Sequence, residues 1–206
     1  MTQRLAERVE VRPLTPGRWR DLVELFGPER GANRGCWCMW FRLSPKAFDD
    51  GANEGGGKNR AALKRIVDGG RVPGLVAYLD GRPVGWVSMA PREEFPRIER
   101  SPRTRPPDDR PAWSIVCFYI RRGHRGGGVA TALLQAAVDH SRSAGARLVE
   151  AYPVDPAGGR ISNGEAYWGL LPMYERAGFR EVERRLPRRP IVRRAVRPPR
   201  RRAETA

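Results

Sequence analysis

The chain has 206 residues, of which 40% are hydrophobic and 30% charged, and a net charge of +16. That length fits one domain able to bury a core without disulfides. No apolar run reaches the ~18 residues that a membrane-spanning helix needs. The N-terminal MTQRLAERVEVRPL lacks an apolar signal core. With an odd count of three cysteines, this points to a reducing, cytoplasmic location.

The basicity is almost all arginine, 36 of the 39 basic residues. Ten arginines and no acid fall between Arg184 and Arg202, and removing those ten from +16 leaves +6 for the rest. A mildly basic body with a strongly basic C-terminal stretch suits nucleic acid or a polyphosphate ligand; a solvated arginine-rich face is the plainer alternative.

Residues 1–8 read as disordered. Val9–Leu14 alternates apolar and polar, a strand pattern. Thr15-Pro16 offers an N-cap and a proline at the first position of a helix running to Phe26, which Gly27-Pro28 stops. Residues 27–35 read as loop, Cys36–Phe41 as a dense apolar cluster, and DDGANEGGG at 49–57 as a flexible loop. Lys58–Asp68 is predicted helical. GLVAYL and VGWVSMA flank Asp80-Gly81 as a hairpin. The proline-rich 91–112 reads as a long mobile loop of the kind that carries function. WSIVCFYI (113–120) is a strand buried on both faces. A helix over 129–144, a strand over 147–152, a loop over 153–165, a short helix ending at Gly178 and strands from 179 and 190 complete the series. The body is one domain over 1–195, an N-terminal part (1–71) and a core (72–195), with a disordered basic tail over 196–206.

The chemistry concentrates in IVCFYIRRGHRGGGVATALL, residues 115–134. A buried strand runs through a basic, glycine-rich turn into an apolar helix. Glycines there let a ligand approach the backbone and leave N–H groups free, at a helix N-terminus where the macrodipole favours an anion. Arg121, Arg122 and Arg125 add charge. These features together predict a phosphate or pyrophosphate cradle. GxxxxGK[ST] is absent because no lysine follows the glycines, and contiguous Gly126, Gly127 and Gly128 do not fit the dinucleotide GxGxxG.

Arg125-Gly126-Gly127-Gly128-Val129-Ala130 has the form [Q/R]-x-x-G-x-[G/A] and resembles the acyl-CoA-binding motif of the GNAT superfamily of N-acetyltransferases. Met173-Tyr174-Glu175-Arg176-Ala177-Gly178-Phe179 is similar to that family's L-Y-x-x-x-G-F helix end. The resemblance covers about 72–194. It implies an α/β fold with a mixed, mostly antiparallel central sheet of about six to seven strands flanked by helices. It also implies that the backbone amides of Arg125, Gly126, Gly127, Gly128, Val129 and Ala130 hold the pyrophosphate of acetyl-CoA, and that Phe118 and Ile120 on the preceding strand pair with its pantetheine arm.

The implied reaction is direct transfer of an acetyl group from acetyl-CoA to a primary amine on a small molecule or protein. Such transfer needs a neutral amine, a stabilised carbonyl oxygen and a proton for the departing sulfur. By position Phe118 N–H serves the carbonyl, and Tyr174 matches the tyrosine that often protonates the sulfur; packing beside Phe179 is its other reading. The family often has a cofactor-contacting asparagine where Tyr167 stands here, and Pro172 starts the helix near Leu171, so contacts from this helix do not carry over simply.

Glu150 is the candidate catalytic carboxylate, on a strand that often faces the substrate; Glu93, Glu94 and Asp109 are alternatives. Cys36-x-Cys38 has no second pair, so no metal is expected; the surrounding aromatics read as core or as a wall of the acceptor pocket. Competing functions are a nucleic-acid-binding protein using the arginine stretch and a non-catalytic acyl-CoA sensor. The acceptor and the oligomeric state, a homodimer included, are not legible in the residues.

Overall fold

The computed structural model describes residues 9–27, 35–53, 55–162 and 164–197. The disorder expected over 1–8 and beyond 197 lies outside the described residues, as does most of the 27–35 loop.

Strand β1 (Glu10–Pro13) follows from the alternation in that segment and pairs antiparallel with β2 (Gly74–Leu79). The next helix differs from expectation at its start. Pro16–Arg18 forms a 3-10 turn, α1 spans Trp19–Phe26, and the Thr15 side chain makes no capping bond. A second correction concerns 49–57, predicted as loop. Helix α2 spans Pro45–Asn53. Ser44 Oγ accepts from the Ala47 amide at 3.3 Å, with proline in the first helical position. Helix α3 (Gly57–Asp68) lies against α2, where the buried Asn59 amide donates to the Phe48 carbonyl at 3.3 Å and the Gly35 carbonyl at 2.9 Å. A Cβ on Gly51 would stand 2.2 Å from Asn59 Oδ1, so only glycine admits this contact.

The Asp80-Gly81 turn joins β2 to β3 (Arg82–Pro91) as predicted. The segment 91–112 is not loop throughout: its first half is helical and only 101–112 lacks regular structure. A 3-10 turn at Arg92–Glu94 leads into α4 (Pro96–Arg100), and Phe95 and Ile98 are fully buried. Burying two large apolar side chains, worth roughly 1.5–3 kcal/mol each, fixes the segment despite its prolines. The buried Arg92 adds to this by donating from Nη2 to the Arg110 carbonyl at 2.9 Å.

Strand β4 (Trp113–Ile120) pairs antiparallel with β3. Helix α5 (Val129–Ser143) crosses to β5 (Leu148–Ala151), which lies parallel to β4. Helix α6 spans Leu171–Arg176, and β6 (Arg180–Leu186) and β7 (Arg189–Ala195) form the closing hairpin. Among the described residues the result is one seven-stranded mixed sheet in the order β1-β2-β3-β4-β5-β7-β6, with β4–β5 parallel and the other neighbours antiparallel. One core cluster joins Leu133, Leu134 and Ala137 of α5 and Tyr174 of α6 to the sheet. A second packs α1 and α3 with Trp37 and Cys38 on Trp86. A third gathers Phe41, Phe95, Ile98, Tyr152 and Trp168 about Val116.

Candidate functional site

Strands β4 and β5 pair over only three residues, Trp113–Ile115 with Val149–Ala151. Past Ile115 the two strands part. β4 continues to Ile120 beside β3 alone, while the chain after β5 turns away to an isolated bridge between Val154 and Leu170. A register shift at Ser88/Met89, opposite Cys117 and Ile115, marks a bulge in β4 where the parting begins. The sheet thus opens a wedge with a strand edge that has no sheet partner among the described residues on its β4 side.

The glycine-rich turn stands at the far end of that edge. Gly123, Gly126 and Gly128 have φ of 90°, 77° and 86°, the left-handed region that favours glycine. Gly128 is the N-cap of the fifteen-residue α5. Among the described residues, the amides of Gly126, Gly127, Gly128, Val129 and Ala130 make no backbone hydrogen bond. A cavity of about 140 Å³, lined by Val9, Leu79, Gly123, His124, Arg125, Gly127 and Val129, lies beside this turn. Arg125 is exposed and its Nε donates to the Ile120 carbonyl at 3.1 Å, so that acceptor on β4 already has a partner. The Phe118 side chain is buried in the α5-side core, leaving its backbone on the wedge edge.

Tyr174 lies fully buried beneath the wedge, edge-on to Phe118 at 6.4 Å and to Phe179 at 5.2 Å. Its hydroxyl donates to the Trp168 carbonyl at 3.0 Å. Burial, then the neighbouring Cys117, push this phenol far above its ordinary pKa. It is held as a donor and does not ionise in the working range. Gly169, with φ of 78°, lets Tyr174 approach: a Cβ there would stand 2.9 Å from its ring. Tyr167 is not on α6; it lies in the 3-10 turn Ala166–Trp168, stacked on Trp168 at 5.2 Å.

Glu150 occupies the paired seam, and its carboxylate is fully buried. It accepts from Arg193 Nε at 2.6 Å and from the Tyr152 hydroxyl, and Arg92 Nη1 lies 3.6 Å away. Tyr152 also contacts Ser114 Oγ at 3.4 Å, and Arg193 Nη1 reaches Asp108 at 2.7 Å. Both carboxylate oxygens are therefore engaged and no face meets solvent. Glu94 is ion-paired with Arg42 at 2.5 Å, and Asp109 lines a second, polar depression with Arg92 and Arg105. The chain order gave no sign of the Glu150–Arg193–Arg92 cluster, whose members come from three separate segments.

Within the described residues the arginine-rich stretch is folded into β6 and β7, and three of its arginines are hydrogen-bonded to carboxylates. Arg184 bonds Glu181 and Asp155, Arg185 bonds Glu183, and Arg193 bonds Glu150 and Asp108. Glu181 and Glu183 come from the start of β6 itself, Glu150 from β5, and Asp155 and Asp108 from distant loops. No group of three or more His, Cys, Asp or Glu is placed to hold a metal among the described residues.

Residues 37–179 match the model of the acetyltransferase (GNAT) family. No curated protein matches the sequence. Among solved structures, the chain resembles the PaiA N-acetyltransferase of Thermoplasma acidophilum in complex with coenzyme A (14% identity, 91% of this chain and 99% of that one, TM-score 0.52). It also resembles a GNAT-family acetyltransferase of Streptococcus agalactiae (13% identity, 91% and 95%, TM-score 0.53). A third is the ribosomal-protein-alanine N-acetyltransferase of Brucella melitensis (16% identity, 91% and 99%, TM-score 0.50). At these identities the likeness speaks for the fold, and the family-model match over most of the chain decides membership: the chain belongs to the GNAT acetyltransferase family.

Proposed function

We propose that the chain transfers an acetyl group from acetyl-CoA directly to a primary amine. The observation that carries this reading is the run of backbone amides from Gly126 to Ala130, without backbone partners among the described residues and opening α5 at the end of a strand edge that β5 has left. Donors so arranged, at the positive end of a helix, suit a diphosphate. The Phe118–Ile120 edge suits an extended arm with amide groups of its own. Arg125, bonded to the Ile120 carbonyl, moves aside or turns its charge to the phosphates when the arm binds.

In the reaction the amine nitrogen attacks the thioester carbonyl. A C–N bond forms, the C–S bond breaks, and the Phe118 amide stabilises the charge that builds on the carbonyl oxygen. Tyr174 serves the departing sulfur. Its phenol is held protonated, so it acts by turning its one hydroxyl proton from the Trp168 carbonyl to hydrogen-bond the sulfur rather than by remaining behind as phenolate. The proton lost by the amine passes to water, and water in turn protonates the departing thiolate, so a free thiol is released. Glu150, enclosed by Arg193, Arg92 and Tyr152, contributes by fixing the seam and Tyr152 rather than by taking that proton itself.

The test is a panel of amines assayed for acetyl-CoA consumption, with mass spectrometry of the products. Free thiol released only in the presence of an amine, with an acetylated product, is the expected result. Tight acetyl-CoA binding with no turnover across the panel would make the chain a sensor instead.

A further inference from the structure

Cys38 and Cys117 are 79 positions apart, yet their sulfurs lie 3.6 Å from each other, Cys38 donating to Cys117. Each belongs to a different segment of the fold. Cys117 is the half-buried residue at the β4 bulge where β5 departs. Cys38 is buried in the turn that crosses from the α1–α3 core, through Trp37, to the wedge-side cluster, through Phe41. Phe41 packs on Trp168 at 4.8 Å. We propose that Cys38 and Cys117 form an oxidative modification site, a reversible disulfide made by hydroperoxides that ties the 36–43 turn to the cofactor strand.

The two sulfurs stand within van der Waals contact of each other. A disulfide needs its sulfurs about 2.05 Å apart, so they must approach by roughly 1.5 Å. The backbone that must give is the Trp37–Cys38 pair, both in the left-handed region at φ of 46° and 52° although neither is glycine. Such residues hold their conformation only through surrounding contacts, and a shift there moves Cys38 without breaking a sheet.

The order of events follows from exposure. Cys38 is buried, and its hydrogen bond to Cys117 and its burial push the thiol well above the ordinary range. Cys117, more accessible, reacts first: its sulfur takes the terminal oxygen of the hydroperoxide to give a sulfenic acid, and water (or an alcohol) leaves. The Cys38 sulfur then attacks the Cys117 sulfur. The S–S bond forms, the S–O bond breaks, and hydroxide departs with the Cys38 proton as a second water. Two thiols are oxidised, one peroxide is reduced, and a thiol reductant reverses the bond. Cys36, in the same turn, has no sulfur contact of this kind among the described residues.

The test treats the full chain with hydrogen peroxide, quenches free thiols with an alkylating agent, and maps the peptides. The expected product is a Cys38–Cys117 cross-link lighter by two hydrogen masses and restored by dithiothreitol. It should persist in Cys36→Ser and vanish in Cys38→Ser and in Cys117→Ser, each checked for native fold by circular dichroism. A dominant Cys36–Cys38 link, or only sulfinic and sulfonic acid at Cys117, overturns the proposal, and mapping of the wild type alone decides this if a serine variant fails to fold. The effect on catalysis rests on the proposed function: acetyl transfer should fall about tenfold or more on oxidation and recover on reduction, because a shift near 1 Å at the wedge misplaces the reacting groups. The cross-link is read by mass, so its absence and an absence of transferase activity are separate results.

Discussion

Glu150 and Arg193 stand directly opposite each other in the β5–β7 register, and Arg193 Nε lies 2.6 Å from the Glu150 carboxylate with both side chains buried. A buried pair of this kind adds little net stability over apolar residues of the same size, but breaking it strands a charge. Glu150→Gln leaves Arg193 and Arg92 facing a neutral amide. We expect the variant to lose about 3 kcal/mol of folding stability in urea titration. A loss below about 0.5 kcal/mol, within the range of neutral surface changes, would show that the arginines find other partners.

Asp108, which Arg193 also bonds, contributes to the acid limit of the fold. Bonds from Arg193 and Arg110 hold the Asp108 carboxyl well below the usual carboxylate range. A carboxyl depressed on folding stabilises above its unfolded pKa, near 3.9 for Asp, and that contribution is lost as pH falls through the lower folded value. Stability should therefore fall steeply only below about pH 4, and Asp108→Asn should make the limb shallower. Equal slopes for the two proteins in acid titrations followed by fluorescence would remove Asp108 from the linkage.

Gly128→Asp tests the cradle. The residue sits at φ of 86°, where aspartate is among the better tolerated side chains, so the fold should persist. A carboxylate at the α5 N-cap competes for the amides and repels phosphate. Calorimetry should show acetyl-CoA affinity reduced about tenfold or more. Unchanged affinity would place the ligand elsewhere.

Tyr174→Phe removes one hydroxyl and leaves the Trp168 carbonyl without its 3.0 Å partner. The expected stability cost is about 1 kcal/mol, with turnover lowered about tenfold or more and acetyl-CoA affinity nearly unchanged. Equal turnover at saturating substrates would assign Tyr174 to packing alone.

Gly74→Ala probes the sheet itself. A Cβ there would stand 2.1 Å from the Val87 carbonyl and 2.5 Å from the Trp86 ring, in a ladder that has no slack. We expect at least about 1–3 kcal/mol of destabilisation by overpacking, measured as a lowered urea midpoint.

What the sequence made legible was local. The Asp80-Gly81 turn, the all-apolar β4, the glycines before α5 and the proline that starts α6 at Leu171 each act through neighbours in the chain. Ser44-Pro45 was an equally local signal for α2, hidden by the glycine-rich run that follows. Helix α4 was masked because prolines dominate its surroundings, while its order comes from burying Phe95 and Ile98. The pairing of Glu150 with Arg193 and Arg92, and of Cys38 with Cys117, depends on which strands become neighbours. No spacing within the chain encodes that. The same reason explains why the sequence did not show that Asp155 would pair with Arg184, and Asp108 and Glu150 with Arg193.

The three-residue join between β4 and β5 has a mechanical consequence. Strands β1 to β4 form one leaf and β5 to β7 another, and sheet hydrogen bonds connect the leaves along about 10 Å only. A guest that slides between them past Ile115 breaks no existing ladder bond and gains the β4 rim as a ready strand partner. Loading can thus proceed with both leaves intact, the short join serving as the fold of a book that stands already ajar.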